Sequence, residues 1–199
     1  RLFEMWCRGE TGYPFIDAAM IELKQTGFMS NRLRQNVASF LVKDLGVDWR
    51  FGAEWFESLL VDYDAAQNYC NWNYVAGIGF DPRAATRYFN IQRQADMYDA
   101  DGEYVRLWIE ALKGVNREFV HRPYEMNEYQ QRMSGCVVGR DYAAPCKSLS
   151  GRKQKKEKYY KQKNDGNGSE KDYGSGQREQ YRGGDVSKYQ EKKQWVKRW

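Results

Sequence analysis

The sequence has few of the residues that build metal sites and disulfide frameworks. It contains a single histidine, His121, and its four cysteines, at positions 7, 70, 136 and 146, are scattered and form no Cys-x-x-Cys pair. Zinc sites need clustered cysteine and histidine ligands, and disulfide-rich domains need paired cysteines, so we expect neither a metal nor a disulfide framework. Reduced thiols of this kind predict an intracellular protein. We interpret His121 as a structural or surface histidine.

Long apolar runs and strand patterns are also scarce. No apolar stretch approaches the roughly 20 residues of a membrane-spanning helix, so we expect no membrane partner. Helical periodicity with capping residues predicts an all-α protein. The first predicted helix runs over 14–26, with Gly27 just past its end, and the second over 32–45 behind a cap at Ser30 or Asn31. The third covers 51–61, and the fourth runs from a cap at Asp101 to Gly114. The buried residues predicted for the third helix are Phe51, Trp55, Phe56, Leu59 and Leu60.

The composition changes near Leu149. Residues 151–199 hold 15 of the 32 Lys and Arg but only 7 of the 27 Asp and Glu, and they have almost no aliphatic side chains. We therefore predict a helical domain over 1–116, an irregular and partly helical wrap over 117–149, and a disordered basic tail over 150–199.

The tail mixes lysines with tyrosines and contains one Arg-Gly-Gly. Cations can contact phosphates and aromatic rings can stack on bases, so contact with DNA or RNA is one interpretation. A solubilising tail without a ligand is the other.

The chain begins RLFEMWCRGE, without an initiator methionine. We expect it to continue a longer protein, with any targeting peptide upstream. The sequence therefore does not distinguish plastid, mitochondrion, nucleus and cytoplasm.

The most informative segment is LLVDYDAAQNYCNWNYVAG, which begins at Leu59. Asp62, Asp64, Asn68 and Trp72 fall within eleven positions of it. Carboxylates accept hydrogen bonds from ribose hydroxyls and ring N–H groups, an amide both donates and accepts, and a buried indole can carry an electron. This combination suits a redox-active aromatic cofactor better than a hydrolytic site.

Several segments together resemble the FAD-binding domain of the cryptochrome/photolyase family. They are GETGYPFIDAAM, TGFMSNRLRQNVASFLVKDLGVDWR, LLVDYDAAQNYCNWNYVAGIGFDPR and YDADGEYVRLWIEAL, and the resemblance covers residues 6–149 in order and spacing. It implies the C-terminal part of that helical domain. Gln35, Tyr74, Ser30 and the Asn68-Tyr69 pair are typical of the DASH-type cryptochromes within the family.

The resemblance also implies roles for individual residues. It assigns FAD binding to Asn31, Arg34, Asp62, Tyr63, Asp64 and Asn68, with Asp62 paired to Arg34 and Asn68 facing the reactive flavin nitrogen. It assigns electron transfer to Trp72, Trp49 and Trp6, with Trp72 innermost and Trp6 outermost, at the surface. It assigns the DNA pocket to Asn31, Arg32, Gln35 and Tyr74.

Each of these residues also has a plainer interpretation. A tryptophan is usually part of a core, as we expect for Trp55 and Trp108, because aromatic side chains dominate buried area. Arg34 and Asp62 could form a purely structural buried pair. Only the joint spacing, matched to that of the family, favours the functional interpretation.

The activity that the resemblance implies is light-driven, FAD-dependent repair of cyclobutane pyrimidine dimers, preferentially in single-stranded DNA. The expected protein is a monomeric lyase with a folate antenna in a domain outside this sequence. One alternative is a blue-light signalling flavoprotein that uses the basic tail. A second alternative is a nucleic-acid-binding protein in which the flavin is structural.

Overall fold

A computed structural model of the protein describes residues 1–78 and 88–149. Within these ranges it is helical and has no strand, only an isolated bridge between Val138 and Tyr142. The helices are α1 Leu2–Arg8, α2 Pro14–Thr26, α3 Asn31–Ser39, α4 Trp49–Leu59, α5 Ala65–Ala76, α6 Ile91–Tyr98, α7 Glu103–Trp108 and α8 Glu128–Ser134. A π-helical segment, Phe40–Leu45, continues α3, and two 3-10 turns cover Glu110–Leu112 and Pro123–Glu125. The all-α prediction is confirmed, whereas the predicted tail lies outside the described residues.

The first two predicted helices are present at nearly the predicted positions. Pro14 is the first residue of α2, and Gly27 ends it with φ of 69°. Ser30 precedes α3 in an extended conformation, and the helical course continues through the π segment to Gly46. Pro14, Gly27 and Gly46 therefore located both helices correctly. The predicted cap of α3 is not formed, because the Ser30 side chain accepts no capping hydrogen bond.

The third and fourth predicted helices begin or end at other residues in the structure than predicted. The third, α4, begins at Trp49 because the Asp48 carboxylate accepts a hydrogen bond from the Arg50 amide, and Phe51 is 52% exposed rather than buried. The fourth, α7, ends at Trp108, where the chain becomes extended before a 3-10 turn. Asp101 does not cap it.

The carboxylate that caps α7 belongs to Asp99. Its two oxygens accept hydrogen bonds from the amides of Tyr104 at 2.9 Å and Val105 at 3.2 Å. Asp101 instead forms an ion pair with Arg117. Asp99 also lies 3.5 Å from His121, which is buried, so the histidine is structural as expected.

Two clusters of apolar side chains form the core of the described part. The first joins α1 to α5 and includes Trp6, Phe40, Phe56 and Trp72. The second joins α7 to the segment after it and includes Val105, Leu112, Val120, Met126, Cys136 and Tyr142. No helix of the described residues is long and apolar enough to cross a membrane.

A fully buried carboxylate, Asp17, ties the start of α2 to the C-terminal segment. It accepts hydrogen bonds from the Thr11 amide and hydroxyl, at 2.8 and 2.6 Å, and from the Gly12 amide at 2.9 Å. The Tyr142 hydroxyl donates a fourth bond at 2.5 Å. Close by, the Cys146 amide donates to the Thr11 carbonyl at 2.8 Å. A hydrogen bond to this carboxylate thus links Asp17 and Tyr142, which are 125 positions apart in the sequence.

Burial raises the pKa of Asp17 to about 6, although the hydrogen bonds from Thr11 and Tyr142 act to lower it. The native state therefore holds this proton at a pH where the unfolded chain, with the ordinary value of 3.8, has lost it. The free energy of unfolding should consequently decrease as the pH rises from about 4 to about 6.

Replacing Tyr142 with Phe removes one donor to this carboxylate. We expect the free energy of unfolding at pH 7.5 to fall by about 1–3 kcal/mol, because hydrogen bonds to buried charges contribute this much. The decrease in the free energy of unfolding should be smaller at pH 5, where Asp17 is protonated, because a hydrogen bond to a neutral carboxyl group contributes less than one to a carboxylate. Denaturant unfolding at the two pH values measures both differences.

Tyr129→Phe is the matched control, since Tyr129 is 71% exposed. It should leave the stability unchanged at both pH values. A Tyr142→Phe loss equal at pH 5 and pH 7.5 would contradict the role of the hydroxyl as a donor to the carboxylate.

Candidate functional site

A cavity of about 480 Å³ opens between α3, α5 and the loop that joins α4 to α5. Nine of the predicted site residues line it: Asn31, Arg34, Gln35, Asp62, Tyr63, Asp64, Asn68, Trp72 and Tyr74. Arg32, Trp49 and Trp6 do not. Several lining residues are not predicted from the sequence, among them Phe28, Gln67, Asn71 and Phe89. Gln67 and Asn71 could have been found, because they lie one helical turn from Asp64 and Asn68.

On one side of the cavity, Arg34 links the loop before α3 to the loop that joins α4 to α5. Its Nε donates to the Met29 carbonyl at 2.7 Å, and its Nη2 donates to both carboxylate oxygens of Asp62 at 2.8 Å. The predicted Arg34–Asp62 pair is therefore present. It is not a buried structural pair, because 49% of the Asp62 side chain is exposed. Both charges remain accessible from the cavity.

Asp64 contributes a carboxylate at the start of α5. Its Oδ1 accepts a hydrogen bond from the Gln67 amide at 2.8 Å, so Asp64 is the N-cap of the helix. An N-cap holds its side chain in one orientation because the helix would otherwise leave an amide unpaired. The cap thus fixes an acceptor at the cavity wall.

The orientation of the Asn68 amide follows from its neighbour on α4. Its Nδ2 donates to the Ala53 carbonyl at 3.0 Å, and the residue is 8% exposed. A carbonyl oxygen can only accept a hydrogen bond, so the amide nitrogen has to face α4. The Asn68 Oδ1 is then the amide atom that remains available on the side of the cavity. Asn68 accordingly offers an acceptor to a bound N–H group.

Trp72 lies behind this amide as part of a compact aromatic cluster. Its ring is 2% exposed and meets Phe56 at a centroid distance of 5.1 Å and Trp6 at 6.3 Å. On its other side lies the backbone of Gly52, where an added Cβ would be only 2.2 Å from the Trp72 Cη2. The glycine lets α4 and α5 approach closely enough to enclose the indole.

The structure contradicts the predicted position of one of the three tryptophans. Trp6, predicted to be outermost, is fully buried and donates its Nε1–H to the Val37 carbonyl at 3.1 Å. Trp49, predicted to be in the middle, is partly exposed and packs edge-on against Tyr69 at 6.2 Å. The prediction that Trp6 lies at the surface is wrong, because α1 packs inward against α2 and the π segment.

Arg32 lies beside the cavity rather than in its lining. Its Nη1 donates to the Gln35 Oε1 at 3.0 Å, and its guanidinium lies over the ring of Tyr98 at 5.4 Å. Gln35, Asn31 and Tyr74 line the cavity itself. An exposed cation next to polar lining residues is a suitable arrangement for a phosphate-bearing ligand.

The cavity combines an aromatic and aliphatic wall with acceptors at fixed positions. Phe56, Leu60 and Trp72 supply apolar surface, whereas Asp62, Asp64 and Asn68 supply acceptors. A flat aromatic cofactor with a polar edge and a hydroxyl-rich chain needs both kinds of surface. FAD has these features, and the residues present fit it.

The comparisons with known proteins agree with this fit. The family model described as the FAD binding domain of DNA photolyase matches residues 1–162. The cryptochrome DASH of Synechocystis sp. is 55% identical over 144 residues, which is 72% of this chain and 29% of that protein.

Two solved structures are similar as well. The cryptochrome of Synechocystis sp. PCC6803 superposes with a TM-score of 0.74 at 51% identity, covering 78% of this chain and 32% of that one. A bacterial class III photolyase from Agrobacterium tumefaciens gives a TM-score of 0.74 at 39% identity, covering 83% and 34%. The chain therefore spans about a third of the length of the structures that it matches.

Gly52→Ala tests the close approach of α4 and α5. The new methyl group would overlap the Trp72 ring, so we expect the free energy of unfolding to fall by about 1–3 kcal/mol. The flavin-to-protein ratio after purification should also fall, because Asn68 and Trp72 share the displaced helix face. Denaturant unfolding and the visible absorption of the purified protein measure the two effects.

Glu54→Ala on the exposed face of α4 is the control, and it should preserve both stability and flavin content. If Gly52→Ala behaved in the same way as this control, the close contact between Gly52 and Trp72 would not be a constraint on the site.

Proposed function

The chain belongs to the DNA photolyase and cryptochrome family and forms part of its FAD-binding domain, and from this premise we propose that the protein repairs cyclobutane pyrimidine dimers with blue light. The preferred substrate is single-stranded DNA. The observation that carries the proposal is that Asn68 lines the same cavity as two polar residues suited to a nucleic acid, Gln35 and Tyr74. The similarity to cryptochrome DASH proteins supports it.

FAD supplies one-electron chemistry when bound, and the protein binds, orients and tunes it. The Asn68 Oδ1 would accept a hydrogen bond from a protonated ring nitrogen, which stabilises the reduced ring relative to the oxidised one. Arg34 and Asp62 would hold the cofactor beside the loop between α4 and α5. Asp64 and Asn31 would contribute further polar contacts, and Tyr63 would line the same wall.

The residues at the mouth of the cavity would receive the damaged bases. Tyr74 offers a ring face for stacking, Gln35 offers an amide, and Arg32 offers a cation for a phosphate. Extrusion of a base costs least in a single strand or at a damaged position, because little stacking and pairing has to be broken. This cost supports the proposed preference for single-stranded DNA.

Three further elements complete the proposal. A folate would act as an antenna in a domain outside this chain. The basic residues of 150–199 would add contacts to DNA or RNA that depend on salt. The active protein would be a monomer.

The test uses the full-length protein, reduced, under blue light, on a thymine dimer in single-stranded and duplex DNA, with dark controls. We expect light-dependent loss of the dimer, largely confined to the single strand. A protein that binds flavin and is photoreducible but repairs neither substrate would contradict the repair proposal and favour signalling.

Trp49→Phe tests the electron route. Trp49 is partly exposed at the start of α4, three residues before the glycine that contacts Trp72, and we propose it as the relay between solvent and Trp72. We expect photoreduction of the oxidised flavin to slow by about tenfold or more, equivalent to about 1.4 kcal/mol in the barrier. Repair by protein reduced beforehand should be unchanged, because that reaction needs no electron from Trp49.

Trp55→Phe is the matched control on the same helix. Trp55 is half-buried and packs against the first cluster, so its replacement should not affect photoreduction. Equal photoreduction rates in Trp49→Phe and Trp55→Phe would exclude Trp49 as a relay.

A further inference from the structure

Tyr69 lies next to Trp49 on the outer side of the contact between α4 and α5. The two rings meet edge to face, with centroids 6.2 Å apart and an interplanar angle of 83°. Both side chains are partly exposed. Two aromatic rings in direct contact are close enough for rapid electron exchange if one of them is oxidised.

The hydroxyl of Tyr69 has a partner that can take its proton. It donates to the Glu57 Oε2 at 3.1 Å, and this hydrogen bond raises the pKa of Tyr69. The phenol is therefore protonated at neutral pH. A phenol loses its proton readily once it is oxidised, and a carboxylate already hydrogen-bonded to it is the natural acceptor.

The position of the pair connects it to the site. Tyr69 precedes Trp72 by three residues on α5, and Trp49 precedes Gly52 by three residues on α4. Because the Trp72 ring lies against Gly52, the Trp49–Tyr69 pair lies about one helical turn from that contact. It extends the aromatic series from the cavity towards solvent.

We propose that Tyr69 is the terminal electron donor of this chain, reducing Trp49 after Trp49 has been oxidised, with Glu57 accepting the proton. The inference rests on the proposed function, since light-excited oxidised flavin, acting through Trp72, would be the oxidant for Trp49. One electron moves from Tyr69 to the Trp49 radical cation, and the hydroxyl proton moves to the Glu57 carboxylate. The products are neutral Trp49, a neutral Tyr69 radical and a protonated Glu57.

This step would make photoreduction hard to reverse. Return of the electron would require the tyrosyl radical to recover its proton from Glu57, whereas a tryptophan radical cation needs only an electron. Tyr69 and Glu57 would thereby lengthen the life of the reduced flavin without contacting it. Tyr63 also lies near Glu57, but it lines the cavity.

The test is flash excitation of the full-length flavoprotein with transient absorption and electron paramagnetic resonance as readouts. In the unmodified protein we expect a tryptophan radical to be followed by a tyrosyl radical. In Tyr69→Phe the tyrosyl signal should be lost and the tryptophan radical should recombine. Glu57→Gln keeps an acceptor but removes the base, so it should slow the tyrosyl rise. Tyr129→Phe, remote and exposed, should match the unmodified protein.

A second arm of the experiment uses a soluble one-electron photo-oxidant, which is excited at a wavelength that the flavin does not absorb. We expect a tyrosyl signal that Tyr69→Phe and Trp49→Phe each reduce, with no further loss in the double variant. If blue light produced no tryptophan radical but this arm behaved as expected, the proposed electron route would fail while the Tyr69 step stood. A tyrosyl signal insensitive to Tyr69→Phe in both arms would overturn the inference.

Discussion

The close contact between α4 and α5 is the constraint on which the site depends. Two features set it: the missing side chain at Gly52, and the hydrogen bond from Asn68 to the Ala53 carbonyl. The first lets the Trp72 ring lie against the α4 backbone, and the second fixes which atom of the Asn68 amide faces the cavity. An acceptor and an aromatic wall are thereby placed by backbone groups, which move less than side chains do.

A different interaction holds the rest of the described part together. Asp17 binds the loop before α2 and the Tyr142 hydroxyl, and so closes residues 117–149 onto the helices. This carboxylate is fully buried, whereas Asp62 at the cavity is half exposed. This difference in burial matches a difference in role. A buried charge surrounded by donors fixes a fold, while an exposed ion pair keeps its charges available to a ligand.

The proline and glycines at helix ends predicted α2 and α3, and the family resemblance predicted nine of the residues that line the cavity, but neither predicted the directions in which side chains point. Spacing along α5 brings residues 64, 68 and 72 to one face, and the structure confirms that all three line the cavity. The exposure of Phe51 could not be read from periodicity, because that depends on what lies opposite. The burial of Trp6 depends on the packing of α1, which no motif records. The cap at Asp99 is not predicted, because its carboxylate bonds the amide of a residue five positions later. A capping side chain usually bonds an amide two or three positions later.

The geometry of α5 explains how one helix can serve both the cavity and the electron path. Asn68 and Tyr69 are adjacent in sequence, so their side chains leave the helix about 100° apart. Asn68 points towards the cavity and Ala53, whereas Tyr69 reaches Trp49 and Glu57 at the outer side of α4. A substitution at one position therefore need not disturb the other. The acceptor that would tune the cofactor and the phenol that would supply its electron can vary independently on the same rigid helix.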